Sequence, residues 1–258
     1  MNKPPVSVLL PTYNEAGLAA RALESVRWAS EILVVDSFST DGTPELCRQL
    51  GARVLQHAYI NSAKQKNWAI PQCSCEWVLQ VDSDEVLEPG LAEEIQAALA
   101  QPGEGCDGYR IPFKHHVLGE WVQVCGLYPE YHLRLFRRDA GRFEDKEVHA
   151  HVRVPGRVGT LQRHILHDGM PTISRQLRNL DRYSRYQADE LRKRRKTCHW
   201  RQLIFRPPAV FLHKYLWQQG FRAGKRGLVL AGLAAASDFF AHAKLWELAE
   251  LGLEASPK

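Results

Sequence analysis

Three short apolar runs, each ending abruptly in polar residues, constrain the fold more than any other feature of this sequence. The runs are Val6–Leu10, Glu31–Val35 and Trp77–Val81, and turn residues and a helical pattern follow each of them. Apolar runs that alternate with helical segments are typical of a parallel α/β sheet. Right-handed crossovers bring the carboxyl ends of such strands to one edge of the sheet. We therefore expect the three polar strand ends to meet in a single ligand crevice.

Two aspartates follow the third run. Asp82 and Asp84 are two residues apart, and residues i and i+2 of an extended chain point the same way. Paired carboxylates repel each other, and a hard cation such as Mg²⁺ or Mn²⁺ relieves that repulsion while leaving coordination positions for phosphate oxygens. An isolated D-x-D also occurs in solvated turns. The two neighbouring strand ends favour the metal and ligand site over the turn.

The rest of the sequence extends this arrangement into a mixed sheet followed by helices. Further strands are predicted at Arg53–Gln56, Tyr109–Phe113, Leu133–Phe136 and Val148–Val154. Helices are predicted at Leu18–Ala29, at Pro44–Leu50 with Thr43 as its cap, around Gln65–Asn67, and at Leu91–Ala100. After Met170 the pattern is helical. We therefore predict an α/β domain over residues 1–169 and a helical appendage over residues 170–258.

The composition of this 258-residue chain excludes several classes of protein. With 45% hydrophobic and 24% charged residues, it can form one sizeable globular domain. Its six cysteines lack C-x-x-C or metal-finger spacing, which predicts buried thiols in the cytoplasm. No apolar leader precedes Val6, and the apolar stretch Gly227–Ala236 is shorter than the roughly 20 residues of a membrane span. No G-x-G-x-x-G follows the first strand, which disfavours an oxidoreductase.

Positive charge is concentrated near the carboxyl terminus. Residues 170–226 contain 15 Lys and Arg against 3 Asp and Glu, a net charge of +12 in a chain whose total is +5. The densest run is Arg192–Lys196, and apolar residues interleave with the charges, with Phe211, Leu212, Tyr215 and Leu216 on one face of a helix starting near Pro207 and Pro208. Basic amphipathic helices suit an anionic membrane surface. A helix packed in the core, a solvated face and a nucleic-acid patch are the alternatives, of which we expect the nucleic-acid patch least.

Several spaced motifs carry a resemblance to a known family. The chain resembles family 2 glycosyltransferases of the GT-A fold at Pro11–Glu15, Val34–Thr43, Gln65–Asn67 and Asp82–Glu85. It resembles the narrower group of lipopolysaccharide core β-1,4-glucosyltransferases at Tyr128–Arg137, Arg142–His149, Arg206–Pro208, Gly220–Lys225 and Lys244–Glu247. The resemblance implies a Rossmann-like mixed sheet that binds a nucleotide sugar, with a donor half near residues 1–105 and an acceptor half near residues 106–169.

The resemblance also assigns donor-binding roles. Asp36 is expected to contact the uracil or ribose of a UDP-sugar, and the pocket is expected to include Pro11, Thr12, Tyr13, Asn14, Glu15, Ser37, Asp41 and Ser83. Lys66 is expected to neutralise a phosphate, supported by Gln65 and Asn67. The usual glycine-rich stretch before Gln65 is replaced here by Ile60–Lys64. The Mg²⁺ or Mn²⁺ ion is expected on Asp84, with Asp82 nearer the ribose or bound through water, and with His149 as a third ligand.

Inverting transfer needs a general base on the side of the sugar opposite the leaving diphosphate. Glu130 is the first candidate, and Asp145 and Glu144 are its rivals. Arg134 and Arg137 either bind acceptor phosphates or pair with neighbouring carboxylates. The histidines at positions 115, 116, 164 and 167 are interpreted as ordinary polar positions.

Together these features predict a metal-dependent glycosyltransferase that acts on a glycolipid at the cytoplasmic face of the inner membrane. The expected reaction moves glucose from UDP-glucose onto the lipopolysaccharide inner core. One alternative is the same fold acting on another nucleotide sugar or a polyprenyl-linked acceptor. Another is a non-catalytic nucleotide-binding or scaffolding protein, which would lack one or more strand-end carboxylates, and all of them are present.

Overall fold

The computed structural model describes residues 5–100, 106–144 and 150–252. The strands are β1 Val6–Thr12, β2 Glu31–Asp36, β3 Arg53–Gln56, β4 Trp77–Gln80, β5 Glu85–Leu87, β6 Cys106–Val117, β7 Glu120–Trp121, β8 Tyr131–Arg137, β9 Arg142–Phe143, β10 Val152–Arg153, β11 Arg157–Thr160 and β12 Ile165–Met170. The helices are α1 Ala16–Ser25, α2 Thr43–Gln49, α3 Ser62–Ala69, α4 Leu91–Ala100, α5 Ile173–Lys193, α6 Trp200–Leu212 and α7 Gly224–Glu250.

The chain divides into two compact units. The first unit comprises Met1–Lys114 and Glu130–His167, and the second unit comprises His115–Pro129 and Asp168–Lys258. The boundary predicted after residue 169 lies close to the later division. The segment His115–Pro129 was not expected in the carboxyl-terminal part, and it belongs there because Val117 and Val122 share an apolar cluster with Val229 and Leu230 of α7.

The first unit is built on a mixed sheet with the strand order β3-β2-β1-β4-β8-β6-β12-β5. Strand β1 is parallel to β2, with Thr12 opposite Asp36, and parallel to β4, with Leu9 opposite Gln80. The three apolar runs therefore do end at one edge of the sheet. Strand β8 then pairs antiparallel with both β4 and β6, which makes the sheet mixed, as the sequence predicts.

Burial explains why these runs are strands and which side the helices cover. Leu9, Leu33 and Val78 are fully buried in one apolar cluster on one side of the sheet, and each contributes about 1.5–3 kcal/mol relative to an exposed side chain. Leu10 and Val34 face the other side of the sheet, where they pack with α1 and α2. Both faces are covered, and this leaves the polar carboxyl edge as the open part of the parallel half.

Several predicted bounds need correction. Helix α1 ends at Ser25 rather than Ala29, and Thr43 is the first residue of α2, whose cap is Gly42 with φ of 82°. The predicted strand Val148–Val154 is present only as Val152–Arg153, and its first two residues lie outside the described ranges.

The second unit consists largely of α5, α6 and α7, and both α5 and α6 pack on α7. Pro207 and Pro208 lie inside α6 rather than at its start, so that prediction was wrong. The prediction that no segment is long enough to span a membrane was also wrong. The helical stretch Gly220–Glu250 passes that test by length and composition, and 28% of its apolar window is buried within the structure.

Candidate active site

A closed ring of polar contacts occupies the carboxyl edge of the sheet in the first unit. The Asp82 backbone N–H donates to Glu85 Oε2 at 2.8 Å, and Arg134 donates from Nη2 to Glu85 Oε1 at 2.5 Å. Arg134 also donates from Nη1 to Asp82 Oδ2 at 3.3 Å, which closes the ring. The Glu85 side chain is 2% exposed and that of Arg134 is 12% exposed. Each of these buried charges therefore depends on its partners.

Lys66 adds a second cation to this ring. Its Nζ lies 3.0 Å from Asp82 Oδ1 and 5.2 Å from the centre of the Phe143 ring. Gln80 donates from Nε2 to the same Asp82 oxygen at 2.9 Å. Both carboxylate oxygens of Asp82 are thus engaged by protein donors. This arrangement favours Asp84 over Asp82 as the side chain that binds a metal directly.

The environment shifts the pKa values of the Asp82 and Glu85 carboxyls in opposite directions. Burial raises the pKa of the Asp82 carboxyl, but the charges of Lys66 and Arg134 outweigh it and hold this pKa below its usual range. Burial also raises the pKa of the Glu85 carboxyl, and here it prevails over the nearby Arg134, with the Asp82 charge adding to it. Asp82 is therefore the firmly ionised member of the pair.

His167 is a site residue that the sequence interpretation missed. Its Nε2 lies 3.7 Å from Asp84 Oδ1. Burial lowers the pKa of the His167 imidazole, but the hydrogen bond and charge of Asp84 outweigh it and raise this pKa. Strand β12 pairs antiparallel with β5, which sets His167 opposite Glu85 across about eighty residues of sequence. That pairing has no local signal, so the interpretation of His167 as an ordinary polar position could not place it beside Asp84.

His164, by contrast, has a structural role. It lies 2.9 Å from Glu88 through Nδ1, and Lys114 contacts the same carboxylate at 2.5 Å.

Two loops at the ends of β1 and β2 are tied together beside the ring. Asn14 donates its N–H to Ser39 Oγ and accepts from the Thr40 N–H, both at 2.8 Å. Asp41 accepts from the N–H groups of Ala16 at 3.3 Å and Thr43 at 3.1 Å. The predicted residues Asn14 and Asp41 therefore hold the shape of these loops.

Asp36 is fully buried, and its carboxylate accepts from the Ser39 N–H at 2.9 Å. Its expected contact with the nucleotide stays a prediction. Thr12 lies opposite Asp36, and its buried Oγ1 has no hydrogen-bond partner among the described residues. Such an orphaned hydroxyl at a strand end is consistent with a polar ligand.

The other predicted pocket residues surround this position. Ser83 donates to the Glu15 carboxylate, and Pro11 lies in β1 opposite Val35. Tyr13 is exposed, and so is Phe38, which sequence reasoning passed over and which has a φ of 61°. Exposed aromatic rings at a strand end are suited to stacking on a base.

Helix α3 presents only one of its three predicted residues to the ring. Gln65 is buried, donates from Nε2 to Ser37 Oγ at 3.1 Å and contacts His57 Nδ1 through Oε1 at 2.8 Å. Asn67 exchanges two hydrogen bonds with the backbone of Phe143, at 2.8 and 2.9 Å. These two amides position α3, while Lys66 reaches Asp82.

The residues predicted to act at the acceptor have different partners in the structure. Glu130 Oε1 lies 3.0 Å from His132 Nε2, and the Phe113 ring packs edge-on against His132 at 4.8 Å. Glu144 accepts from Arg153 at 2.8 Å. Asp145 and His149, a predicted base and a predicted metal ligand, lie outside the described residues.

The two arginines considered for the acceptor also have different partners. Arg134 belongs to the ring described above. Arg137 pairs with Trp77 in the register of β8 and β4, whereas Leu135 pairs with Leu79, so Arg137 lies at the end of β4 opposite Asp82. It contacts Glu76 and lies 3.7 Å from Asp107. Of the two alternatives for Arg137, the structure shows the pairing with neighbouring carboxylates, at the end of the strand away from the carboxyl edge, and its acceptor role stays a prediction.

Comparison with known proteins gives a family. Residues 7–159 match the model for glycosyl transferase family 2. The lipopolysaccharide core biosynthesis glycosyltransferase LpsC of Rhizobium meliloti (strain 1021) is 30% identical over 252 residues, which are 95% of this chain and 93% of that protein. The chain belongs to glycosyl transferase family 2. This confirms the predicted family and enzyme class.

Two further comparisons concern this family 2 glycosyltransferase. An uncharacterized glycosyltransferase of Rickettsia felis is 40% identical over 96 residues, covering 37% of this chain and 34% of that protein. Among solved structures, mannosyltransferase PcManGT of Pyrobaculum calidifontis, in complex with GDP-Man and Mn²⁺, has a TM-score of 0.54 at 18% identity, covering 95% of this chain and 88% of that one. This likeness concerns the fold, and it confirms the predicted GT-A fold.

The donor atoms at the edge are of the kind that a divalent cation prefers. Carboxylate oxygens are the ligands that Mg²⁺ and Mn²⁺ prefer, and an imidazole is acceptable to Mn²⁺. In residues 5–100, 106–144 and 150–252, no three His, Cys, Asp or Glu side chains form a ready metal cage. A cation held by Asp84, with Asp82 and His167 beside it, would complete its coordination with the phosphates of a donor.

Proposed function

We propose that this glycosyltransferase moves a hexose from a UDP-sugar to a lipopolysaccharide inner-core acceptor, with inversion and with a divalent cation. Glucose from UDP-glucose is the first candidate donor. The observation that carries the proposal is the ring of Asp82, Glu85, Arg134 and Lys66 at the carboxyl edge of the sheet. The similarity to LpsC over most of both chains supports the acceptor class.

The ring suits a diphosphate leaving group. Charge develops on the diphosphate as the bond to the sugar breaks, and fixed cations stabilise it without reorganisation. Lys66 and Arg134 are held in place by Asp82 and Glu85. The bound cation would supply further stabilisation of the same charge. Asp84, with His167 next to it, would hold that cation.

The acceptor hydroxyl must lose its proton as it attacks. Glu130 is the described carboxylate that we assign to this step, and His132 contacts it at 3.0 Å. Contact with a histidine at that distance holds the Glu130 carboxylate in one orientation. Asp145 is the rival base, and Glu144 is less suited because Arg153 engages it.

A glycolipid acceptor places the enzyme at the cytoplasmic face of the inner membrane, bound peripherally. The same fold acting on another nucleotide sugar, or on a polyprenyl-linked acceptor, is the second candidate, since PcManGT is solved with GDP-Man. A scaffolding protein without turnover would not need the buried, charge-balanced ring.

A donor screen tests the proposal. The purified protein is incubated with UDP-glucose, UDP-galactose, UDP-N-acetylglucosamine and GDP-mannose, with Mn²⁺, with Mg²⁺ and with EDTA, and release of nucleoside diphosphate is measured. Metal-dependent release from one UDP-sugar, stimulated by lipopolysaccharide inner core, is expected. Release from GDP-mannose alone would support the second candidate, and no release from any donor would support the scaffolding protein.

A further inference from the structure

Helix α6 and the π-helical segment His213–Trp217 that continues it present a row of apolar side chains to solvent. Trp200, Ile204, Pro208, Leu212 and Leu216 follow one another at intervals of four residues, and all five are exposed. Residues four apart lie on one face of a helix. Trp217, beside the end of this row, is 81% exposed. None of the residues of α6 is buried, although the helix packs on α7.

The opposite side of this helical segment contacts the rest of the second unit. Arg206 donates to Asp238 of α7 at 2.8 Å, and Lys214 donates to the Cys125 carbonyl at 2.9 Å. The Phe211 and Tyr215 rings stack at 5.5 Å and are partly buried. The outward face is therefore the row from Trp200 to Leu216. The face expected from sequence contained Leu212 and Leu216, which are exposed here, together with Phe211 and Tyr215, which are partly buried.

A run of positive charge directly precedes this row. Every residue of Arg192–Lys196 is exposed, and the run ends α5 three residues before His199, the cap of α6. Arg194 pairs with Glu190 at 2.5 Å. The combination of an exposed apolar row and an adjacent cationic run complements the surface of an anionic bilayer, which offers both apolar chains and negative headgroups.

We propose that the α6 row and the Arg192–Lys196 run together form a membrane-binding surface for anionic lipid. The helix lies in the interface with Trp200, Leu212, Leu216 and Trp217 among the headgroups and upper acyl chains. Tryptophan is enriched at that depth in membrane proteins. This inference deepens the proposed function and rests on its membrane location, but it depends on residues that take no part in the sugar site.

The structure favours a helix that lies on the membrane over one that crosses it. Helix α7 is the long apolar candidate, but Asp238 and His242 lie within it and are both buried. Asp238 pairs with Arg206, and His242 lies 3.6 Å from it. A charged network in the middle of a helix is costly in hydrocarbon. Helix α7 also packs against α5 and α6.

Vesicle co-sedimentation of the full chain tests the surface. The wild type is mixed with vesicles of phosphatidylcholine alone and with vesicles that also contain phosphatidylglycerol. We expect binding to the anionic vesicles, weakened by added salt. The double variant Leu216→Gln, Trp217→Gln should bind about tenfold or more weakly, because two apolar side chains leave the interface.

Two further variants isolate the parts of the surface. Leu177→Gln is the matched control for Leu216, since both are leucines of the second unit, 52% and 56% exposed. It should bind as the wild type does. Lys196→Glu should weaken binding to anionic vesicles on the order of fivefold, and binding to neutral vesicles should not change.

Three results would overturn the inference. The first is equal binding to neutral and anionic vesicles, or binding to neither. The second is a loss in Leu177→Gln as large as that in the double variant. The third is a change of molecular mass in solution for the double variant without any change in vesicle binding, which would make the row an interface between two copies. Donor turnover, measured by nucleoside diphosphate release without vesicles, should be unchanged in every variant, so failure of the surface and failure of the proposed reaction are distinguishable.

Discussion

The carboxyl edge of the first unit and helix α6 of the second unit depart from the usual burial pattern in opposite directions. At the edge, the ionisable side chains of Glu85 and Arg134 are almost fully buried. On α6, Trp200, Ile204 and Leu212 are apolar and exposed. Folding alone favours neither arrangement. Burying an ionised group costs desolvation free energy, and an apolar side chain left exposed does not gain the free energy that burial would provide. The contrast is what we expect if the edge binds a charged ligand and the outward face of α6 binds an anionic membrane, as proposed above.

The largest effect should come from breaking the ring on one side. Arg134→Met leaves Glu85 buried beside Asp82 without its cation, and removal of one partner from a buried pair costs about 3–5 kcal/mol. Urea denaturation of the variant should show this loss in the free energy of unfolding. Arg137→Met is the matched control on the same strand, and its cost should be small because Arg137 is more exposed. Equal losses of unfolding free energy in the two variants would mean that Arg134 in the ring contributes no more to stability than the more exposed Arg137.

Removing Asp84, the carboxylate that we propose for the metal, should affect function more than stability. Asp84→Ala should abolish the metal-dependent part of UDP binding and lower turnover on the order of 10³-fold, as expected when a stabiliser of developing charge is lost. Isothermal titration of UDP with and without Mn²⁺ measures the first effect. Unchanged Mn²⁺ dependence in the variant would remove Asp84 from the site.

Glu130→Gln should separate chemistry from binding. The amide keeps the shape of the side chain but cannot accept the acceptor proton, so turnover should fall on the order of 10²-fold while UDP-sugar affinity is retained. Steady-state kinetics and titration of the donor measure the two quantities. Normal turnover in Glu130→Gln, together with loss in Asp145→Asn, would assign the base to Asp145.

The smallest expected effect concerns Glu31, a carboxylate outside the candidate site that contributes to stability rather than to binding. Glu31 accepts from Arg53 at 2.7 Å and from the Ser74 N–H at 2.7 Å. Burial raises the pKa of its carboxyl, but these bonds and that of Ser7 outweigh it and lower this pKa from 4.5 to about 2.

Because the folded pKa is the lower one, the stabilisation is present above pH 4.5 and is lost as the pH falls toward about 2. We expect Glu31→Gln to flatten this part of the stability profile by roughly 2 kcal/mol in acid titrations followed by circular dichroism, with no change in metal dependence. A variant whose acid limb matches that of the wild type would contradict the assignment.

The parallel half of the sheet could be predicted because its information is local. The runs that became β1, β2 and β4 are apolar and bounded by turns, and α4 has the bounds expected from sequence. The site was predictable where it depends on strand ends, as for Asp82 and Asp84. Arg134 and His167 could not be assigned, because their positions depend on the pairing of β8 with β4 and of β12 with β5. Helix α6 could not be bounded either, since packing on α7 carries it through two prolines that local propensity places at a helix start.

We expect the two hydrogen bonds between Asn67 and the Phe143 backbone to influence the order of substrate binding. They join the helix that carries Lys66 to strand β9, which ends two residues before Asp145 in the sequence. A diphosphate that draws Lys66 away from Asp82 would therefore also pull on the chain entering the acceptor half. Such coupling favours an ordered scheme in which the donor enters first and the acceptor second, and product inhibition by UDP would then be competitive with the donor.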